Sequence, residues 1–153
     1  MRVAQTSLLW LLVLLVTASG CAPSRTSAAD PDALWQQIYD AGREAYERAD
    51  YSRSQKMFAA AVKEAERFPD PDLRLARSLN NLAAAYAAQE KYAEAEPLYR
   101  RALAILEKVR GPDHPDVATA LSNYAALLQA TNRGAEAAKL EARATAIGEK
   151  AGH

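Results

Sequence analysis

The chain has 153 residues, with 19 Lys plus Arg against 19 Asp plus Glu and an aromatic content of 7%. This length accommodates one domain of ordinary size, and the balanced charge excludes the basic surface expected of a nucleic-acid-binding protein. Alanine, the best helix former, is abundant. Runs of β-branched and aromatic residues typical of strands are absent after residue 20. The composition therefore predicts an all-α domain.

Residues 1–20 have the pattern of an export signal. Arg2 precedes the apolar stretch 8–16, which is shorter than the roughly 20 residues of a membrane-spanning helix. A basic start, a short apolar region and small residues are typical of a secretory signal peptide. The small residues 18–20 lie directly before Cys21, and this junction resembles a bacterial lipoprotein signal. The resemblance implies that Cys21 becomes the N-terminus and carries acyl chains such as palmitate. The alternative is cleavage at a neighbouring site, such as after Ala18 or Ala22.

Residues 21–34, rich in small and polar residues and proline, predict a flexible tether. Several acyl chains on Cys21 would hold the protein firmly on a membrane, whereas one chain gives only marginal binding. Ala22, rather than aspartate, follows Cys21, a pattern that resembles sorting to the outer membrane. We therefore expect an exported protein that is lipid-anchored to a bacterial membrane, in the outer membrane facing the periplasm where the organism has one.

The remainder of the chain contains an internal repeat. The segment LNNLAAAY at residues 79–86 matches LSNYAALL at residues 121–128, a shift of about 42 residues. A similar shift places Tyr92 on Tyr51 and Tyr99 on Phe58. Three units follow, at about residues 35–68, 76–109 and 118–151.

Each unit predicts a helical hairpin. Its first segment has apolar residues at spacings of three and four, which fall on one stripe of a helix, and a short break precedes a second helical segment. The stripes contain Ile38, Ala41, Gly42 and Ala45; Leu79, Leu82, Ala83 and Tyr86; Leu121, Tyr124, Ala125 and Leu128. Gly42, Ala83 and Ala125 recur where two helices would have to approach closely.

These units resemble tetratricopeptide repeats, and the stretch from Tyr92 onward is similar to the long variety found in kinesin light chains. The resemblance covers residues 35–153 and implies an all-α, right-handed superhelical solenoid of about three hairpins. It implies protein binding without catalysis, cofactor or metal. In the last unit Glu141 and Gly134 replace the aromatic residues Tyr99 and Tyr92, which suits the end of an array. Three repeats are about the minimum for stability, which leaves room for self-association.

The segment RGPDHPDV, residues 110–117, raises a second hypothesis, because it places His114 between Asp113 and Asp116. A metal or catalytic site would need these side chains to converge in a pocket. The segment lies between two predicted helices, however. Gly111 suits the end of one helix and Pro115 the first position of the next, with Asp113 or His114 as its cap. We therefore interpret this segment as a turn.

The resemblance further implies that the first helices line a concave groove. Asparagines there would contact bound peptide, although Asn81 and Asn123 could instead satisfy backbone groups of neighbouring helices. Arg43 and Arg77 favour acidic residues or a C-terminal carboxylate in the partner. Tyr39 and Tyr46 lie off the apolar stripe. The candidate partner-binding residues are Tyr39, Arg43, Tyr46, Arg77, Asn80, Asn81, Ser122, Asn123 and Gln129.

The sequence thus predicts a non-enzymatic, membrane-anchored scaffold that binds another cell-envelope protein or peptide through its groove. The alternative is a structural subunit of an envelope machine for pilus, secretion or outer-membrane assembly. Such a subunit would dock through the outer faces of the array or through its end.

Overall fold

A computed structural model describes residues 30–69 and 72–151, in which all regular structure is helical. The predicted signal peptide, Cys21 and residues 21–29 of the predicted tether lie outside this part. None of the described helices is long and apolar enough to span a membrane. The helices are α1 (Pro31–Glu47), α2 (Tyr51–Ala65), α3 (Leu73–Ala87), α4 (Tyr92–Arg110), α5 (Pro115–Ala130) and α6 (Gly134–Ala151).

The helices form three hairpins that stack in chain order. The pairs α1–α2, α3–α4 and α5–α6 pack closely, and each hairpin contacts the next through α2 on α3 and α4 on α5. The first helices, α1, α3 and α5, touch each other only lightly. This arrangement is an all-α solenoid and confirms the predicted fold class.

Each first helix begins before the predicted unit, at Pro31, Leu73 and Pro115. Residues 31–34, assigned to the tether from sequence, therefore belong to α1. Pro31 is the cause of this difference, because a proline that suggests a linker is equally suited to the first position of a helix. The Asp30 side chain caps α1 by accepting a hydrogen bond from the Asp32 N–H, 3.1 Å away.

The segment RGPDHPDV is a turn between helices, as predicted. Gly111 ends α4 at a φ of 88°, and the His114 Nδ1 atom caps α5 by accepting from the Asp116 N–H at 3.0 Å. Within residues 30–69 and 72–151, no cluster of three or more His, Cys, Asp or Glu side chains is arranged to hold a metal ion. α4 continues through Pro97, which lacks the N–H that would donate a hydrogen bond within the helix.

The turn inside each hairpin has the same backbone geometry. Ala49, Glu90 and Asn132 adopt the left-handed conformation, with φ between 58° and 61°. The following N–H groups close the helix ends, for example Asp50 N–H to the Ala45 carbonyl at 2.9 Å and Arg133 N–H to the Leu128 carbonyl at 2.8 Å. These are Schellman motifs, which satisfy carbonyls that a helix end leaves without partners.

Small residues permit the close packing within each hairpin. Ala83 and Ala125 are fully buried, and Gly42 is also buried. A methyl group on Gly42 would lie 2.8 Å from ring carbons of Phe58, which is 1% exposed. These observations confirm the predicted close approach of helices at Gly42 and show that the other two positions are buried.

Trp35 is the largest difference between the predicted and the observed core. The predicted stripe of the first unit contained Ile38 and Ala41, both of which are only partly buried. Trp35 is 4% exposed instead, and its indole Nε1–H donates to the buried Ser78 Oγ at 3.0 Å. This hydrogen bond joins α1 directly to α3.

A network of polar side chains joins α4, α5 and the loop before α6. Arg133 Nη1 donates to both carboxylate oxygens of Glu96 at 2.9 Å, and the Tyr124 hydroxyl donates to Glu96 at 2.8 Å. Arg100 Nε donates to the Tyr124 oxygen at 2.8 Å. The hydrogen bond from Arg133 is the main cause that lowers the pKa of Glu96. The last two repeats are therefore joined by charge as well as by apolar packing.

Candidate functional site

The first helices line three adjoining clefts, which together we call the groove. The first cleft, of about 370 Å³, lies between α1, α3 and α5 and contains Arg77; we call it the arginine cleft. A middle cleft of about 480 Å³ shares Tyr39, Arg43 and Asn81 with it. A third cleft of about 280 Å³, the alanine cleft, shares Tyr46, Ala84 and Asn123 with the middle one. The shared residues make the groove continuous.

Seven of the nine candidate residues line this groove. They are Tyr39, Arg43, Tyr46, Arg77, Asn80, Asn81 and Asn123. Ser122 lies instead in a depression between α5 and α6 that is also lined by Glu141 and Thr145, and that shares Thr119 with the arginine cleft. Gln129 donates its side-chain N–H to Glu141 of α6. The structure thus places Ser122 and Gln129 beside α6.

Tyr39 is a groove residue and part of the core at once. Its ring stacks on Trp35 at a centroid distance of 4.9 Å and packs on Phe58 at 5.6 Å. The sequence placed Tyr39 off the apolar stripe, and the half-buried ring corrects that placement. Burial raises the pKa of Tyr39, so its hydroxyl stays protonated at neutral pH.

The asparagines form a hydrogen-bonded row across the groove, which we call the amide row. Asn81 Nδ2 donates to the Tyr39 oxygen at 2.6 Å, and Asn80 Nδ2 donates to Asn81 Oδ1 at 3.4 Å. Asn123 Nδ2 on α5 donates to Asn80 Oδ1 at 3.4 Å. Among the described residues these amides bond to one another and to Tyr39, rather than to backbone groups as the alternative interpretation required.

Arg43 and Arg77 make the arginine cleft basic. Arg43 lies 3.7 Å from Asp40 and 3.5 Å from Glu47, both on its own helix, and its side chain is 55% exposed. Exposed ion pairs of this kind contribute little free energy, so they compete only weakly with a ligand for the guanidinium group. Arg77 is exposed and forms no ion pair with any described residue. The charge of Arg77 therefore remains available in the cleft.

The alanine cleft is mostly apolar. Tyr46 packs edge-on against Tyr51 with 5.3 Å between ring centroids, and it is 37% exposed. The remaining lining includes Ala84, Ala126 and Leu127, which are small or apolar. Flat and small side chains of this kind leave room for a partner side chain in the cleft.

Several groove residues were missing from the candidate set. Trp35, Glu47 and Asp116 line the clefts as well. A spacing signal could have found two of them. Trp35 lies four residues before Tyr39, and Glu47 lies four residues after Arg43, so each shares a helix face with a candidate residue.

The chain belongs to the tetratricopeptide repeat family. The family model described as "Tetratricopeptide repeat" matches residues 44–108 and 74–150. Proteins with these repeats are scaffolds for protein–protein interaction and are generally not enzymes.

Solved structures show the same fold. A kinesin-light-chain-like repeat protein of Podospora anserina aligns with a TM-score of 0.71 and 22% identity, over 80% of this chain and 58% of that protein. BtubC (BKLC) of P. vanneervenii aligns with a TM-score of 0.66 and 18% identity, over 78% of this chain and 47% of that one. The N-terminal domain of stress-induced protein-1 of C. elegans aligns with a TM-score of 0.60 and 23% identity, over 79% of this chain and 88% of that domain. The first of these shows the structural similarity to kinesin-light-chain-like repeats. The chain spans about half the length of each of the first two proteins.

Proposed function

We propose that the protein is a non-enzymatic scaffold that binds an extended segment of another cell-envelope protein in the groove. The amide row carries this proposal, because it crosses from α1 to α5 along the floor of three continuous clefts. Side-chain amides both donate and accept hydrogen bonds, which suits an extended peptide backbone. Ala84 and Ala126 beside the row leave space for that backbone.

We also propose that a lipid on Cys21 holds the scaffold on a membrane, in the outer membrane facing the periplasm where one exists. The support is the sequence pattern of residues 1–22. Metabolic labelling with a palmitate analogue, together with membrane fractionation, compares wild type with Cys21→Ser. We expect the label and the membrane association to disappear in the variant. Equal labelling of both proteins would contradict the anchor and leave the groove unaffected.

The alternative, a structural subunit that docks through the array end, has less support. Leu103 on α4 packs against the following repeat, near Val117 and Leu121. The equivalent residue on α6 is Thr145, which is exposed, and Glu141 nearby replaces the buried Tyr99. A polar end surface favours contact with water over the burial of a further repeat. We therefore prefer the groove as the binding surface.

Crosslinking of full-length protein in the native envelope tests the groove. Ala126→Arg introduces a long charged side chain into the alanine cleft from an exposed helical position, so it blocks the groove without removing a core contact. Ala104→Arg makes the same change at an exposed position of α4 outside the three clefts and is the control. We expect a partner crosslink that persists with Ala104→Arg and disappears with Ala126→Arg. The same partners with both variants would direct attention to the outer faces.

A further inference from the structure

The amide row has a direction. Each asparagine donates its Nδ2–H toward α1, from Asn123 to Asn80, then to Asn81 and finally to the oxygen of Tyr39. Because the Tyr39 oxygen already accepts from Asn81, its own O–H is the group that remains for a ligand. Tyr39 therefore presents a donor to the groove.

Two guanidinium groups, of Arg43 and Arg77, lie at this end of the row, and the carboxylate of Asp116, which also lines the arginine cleft, lies 3.6 Å from Arg110. Arg77 forms no ion pair with any described residue, and Arg43 is engaged only by exposed carboxylates of its own helix. Both guanidinium groups lie close enough to Tyr39 to oppose the rise of its pKa. An anionic acceptor can receive hydrogen bonds from the Tyr39 O–H and from both guanidinium groups. A carboxylate suits this role, because its two oxygens match the planar, paired N–H donors of arginine.

The opposite end of the row, at Asn123, offers a hydrogen-bond acceptor beside apolar residues. Asn123 uses Nδ2 within the row, its Oδ1 accepts no hydrogen bond from a described residue, and the residue lines the middle and alanine clefts. The surrounding residues, Ala84, Ala126 and Leu127, are apolar. This end suits a backbone N–H beside an apolar side chain.

We propose that the groove binds a partner segment with an internal acidic side chain in the arginine cleft and an apolar side chain in the alanine cleft. Tyr39 is the residue that sets the preference for the acid. This proposal rests on the proposed function and names the chemistry of the partner. The arginine cleft continues past Arg77 to Thr119 and Asp116 on α5, so the bound chain has room to run on beyond the acidic residue.

Selection from a displayed library of random twelve-residue peptides, flanked on both sides by fixed sequence, tests the proposal on the full-length protein. The variants are Tyr39→Phe, which keeps the ring in its stack, and Arg77→Gln. The matched controls are Tyr51→Phe and Arg53→Gln; both residues lie outside the three clefts, and Arg53 also forms no ion pair with any described residue. Equal helicity and melting are established first for wild type, these four variants and Ala126→Arg.

We expect wild type and both controls to enrich Asp or Glu at one position, at a fixed distance from an apolar position, by about tenfold over the starting library. Tyr39→Phe and Arg77→Gln should lose the acidic preference and keep the apolar one. Binders that Ala126→Arg abolishes but that show no acidic preference would overturn this inference and leave the proposed function intact. A second library presents the same peptides with free C-termini. If only that library gives binders, the arginine cleft binds a terminal carboxylate instead of an acidic side chain, and the inference is wrong. If no binder depends on the groove, both proposals are wrong.

Discussion

Two serines that are 0% exposed, Ser54 and Ser78, have opposite hydrogen-bonding states. Ser78 Oγ accepts from the Trp35 indole at 3.0 Å, whereas Ser54 Oγ has no hydrogen-bond partner among the described residues. The repeat positions equivalent to Ser54 are Ala95 and Ala137, both 0% exposed. A buried hydroxyl without a partner costs roughly 1–3 kcal/mol, so alanine is the better residue at this position.

We predict that Ser54→Ala raises the free energy of unfolding by about 1–2 kcal/mol, because it removes an unsatisfied hydroxyl and adds helix propensity. Ser78→Ala should lower it by about 1–3 kcal/mol, since the indole N–H would lose its acceptor. Urea denaturation followed by circular dichroism measures both. A loss of stability in Ser54→Ala would mean that this hydroxyl has a partner in solution.

Gly42 gives a second prediction at the residue scale. Gly42→Ala gains about 1 kcal/mol of helix propensity, but the new methyl group would lie 2.8 Å from the buried Phe58 ring. Overpacking of this kind costs about 1–3 kcal/mol, so we expect a net loss of stability. The control is Gly148→Ala in α6, where a methyl group meets nothing within 4 Å and stability should rise. Thermal melts that rise for both variants would contradict the tight contact.

The aromatic ring of Tyr39 extends beyond the helix face that its spacing predicts. Spacing assigned Tyr39 to the groove, and its ring does reach the groove, but it also stacks between Trp35 and Phe58. Gly42 has no side chain, so the Phe58 ring packs directly against it and also contacts the Tyr39 ring. Helical periodicity identifies a face of the helix. It does not show how far a large ring reaches around that face, which depends on the neighbouring helix.

At the scale of the helices, the sequence predicted the order of the three hairpins and the positions of the turns between helices. It predicted the first and last residues of the helices less accurately. Local chemistry alone predicted the roles of Gly111 and Pro115 and narrowed the cap of α5 to Asp113 or His114, and the structure shows that it is His114. Local chemistry did not predict the start of α1, because Pro31 is compatible with both a linker and a helix N-terminus. Ser122 and Gln129 lie beside α6 instead of in the three clefts. The spacing along α5 predicts the helix face on which they lie, but it does not show which neighbouring helix that face meets.

The hairpin turns supply the prediction at this scale. Ala49 adopts a φ of 58°, which costs an alanine about 1–2 kcal/mol and a glycine almost nothing. Glycine loses about 0.5–1 kcal/mol of that gain through the entropy of the unfolded chain. We therefore expect Ala49→Gly to raise the free energy of unfolding by up to about 1 kcal/mol. Ala88→Gly, at a helical φ of −64°, should lower it by a similar amount, and equal losses in urea denaturation would contradict the motif.

For the whole molecule, the polar network around Glu96 makes stability depend on pH. Hydrogen bonds from Arg133 lower the pKa of Glu96 and of Glu136, and hydrogen bonds from Arg74 lower the pKa of Asp72. A carboxyl with a lowered pKa stabilises the fold above the pKa of the unfolded chain, near 4. That contribution is lost as the pH falls through the folded-state pKa.

We predict that the melting temperature is nearly constant above about pH 6 and falls steadily from about pH 5 to pH 3. Glu96→Gln should lower stability by about 1–2 kcal/mol at pH 7 and flatten the fall at acid pH. Glu149→Gln, at an exposed position of α6 that forms no ion pair with any described residue, is the control. Calorimetry at several pH values measures the profile. Parallel profiles for wild type and Glu96→Gln would mean that the network does not link the repeats.

Because Trp35 donates a hydrogen bond to Ser78 across two hairpins, its fluorescence can report whether the hairpins remain packed. Trp10 and Trp35 are the two tryptophans of the chain, so a Trp10→Phe variant emits from Trp35 alone. A buried indole emits at shorter wavelength than a hydrated one, and Trp35 also lines the arginine cleft. Its fluorescence should therefore shift to the red when the first hairpin separates from the second. It should change without such a shift when a ligand fills the cleft, so folding and binding can be followed without an added dye.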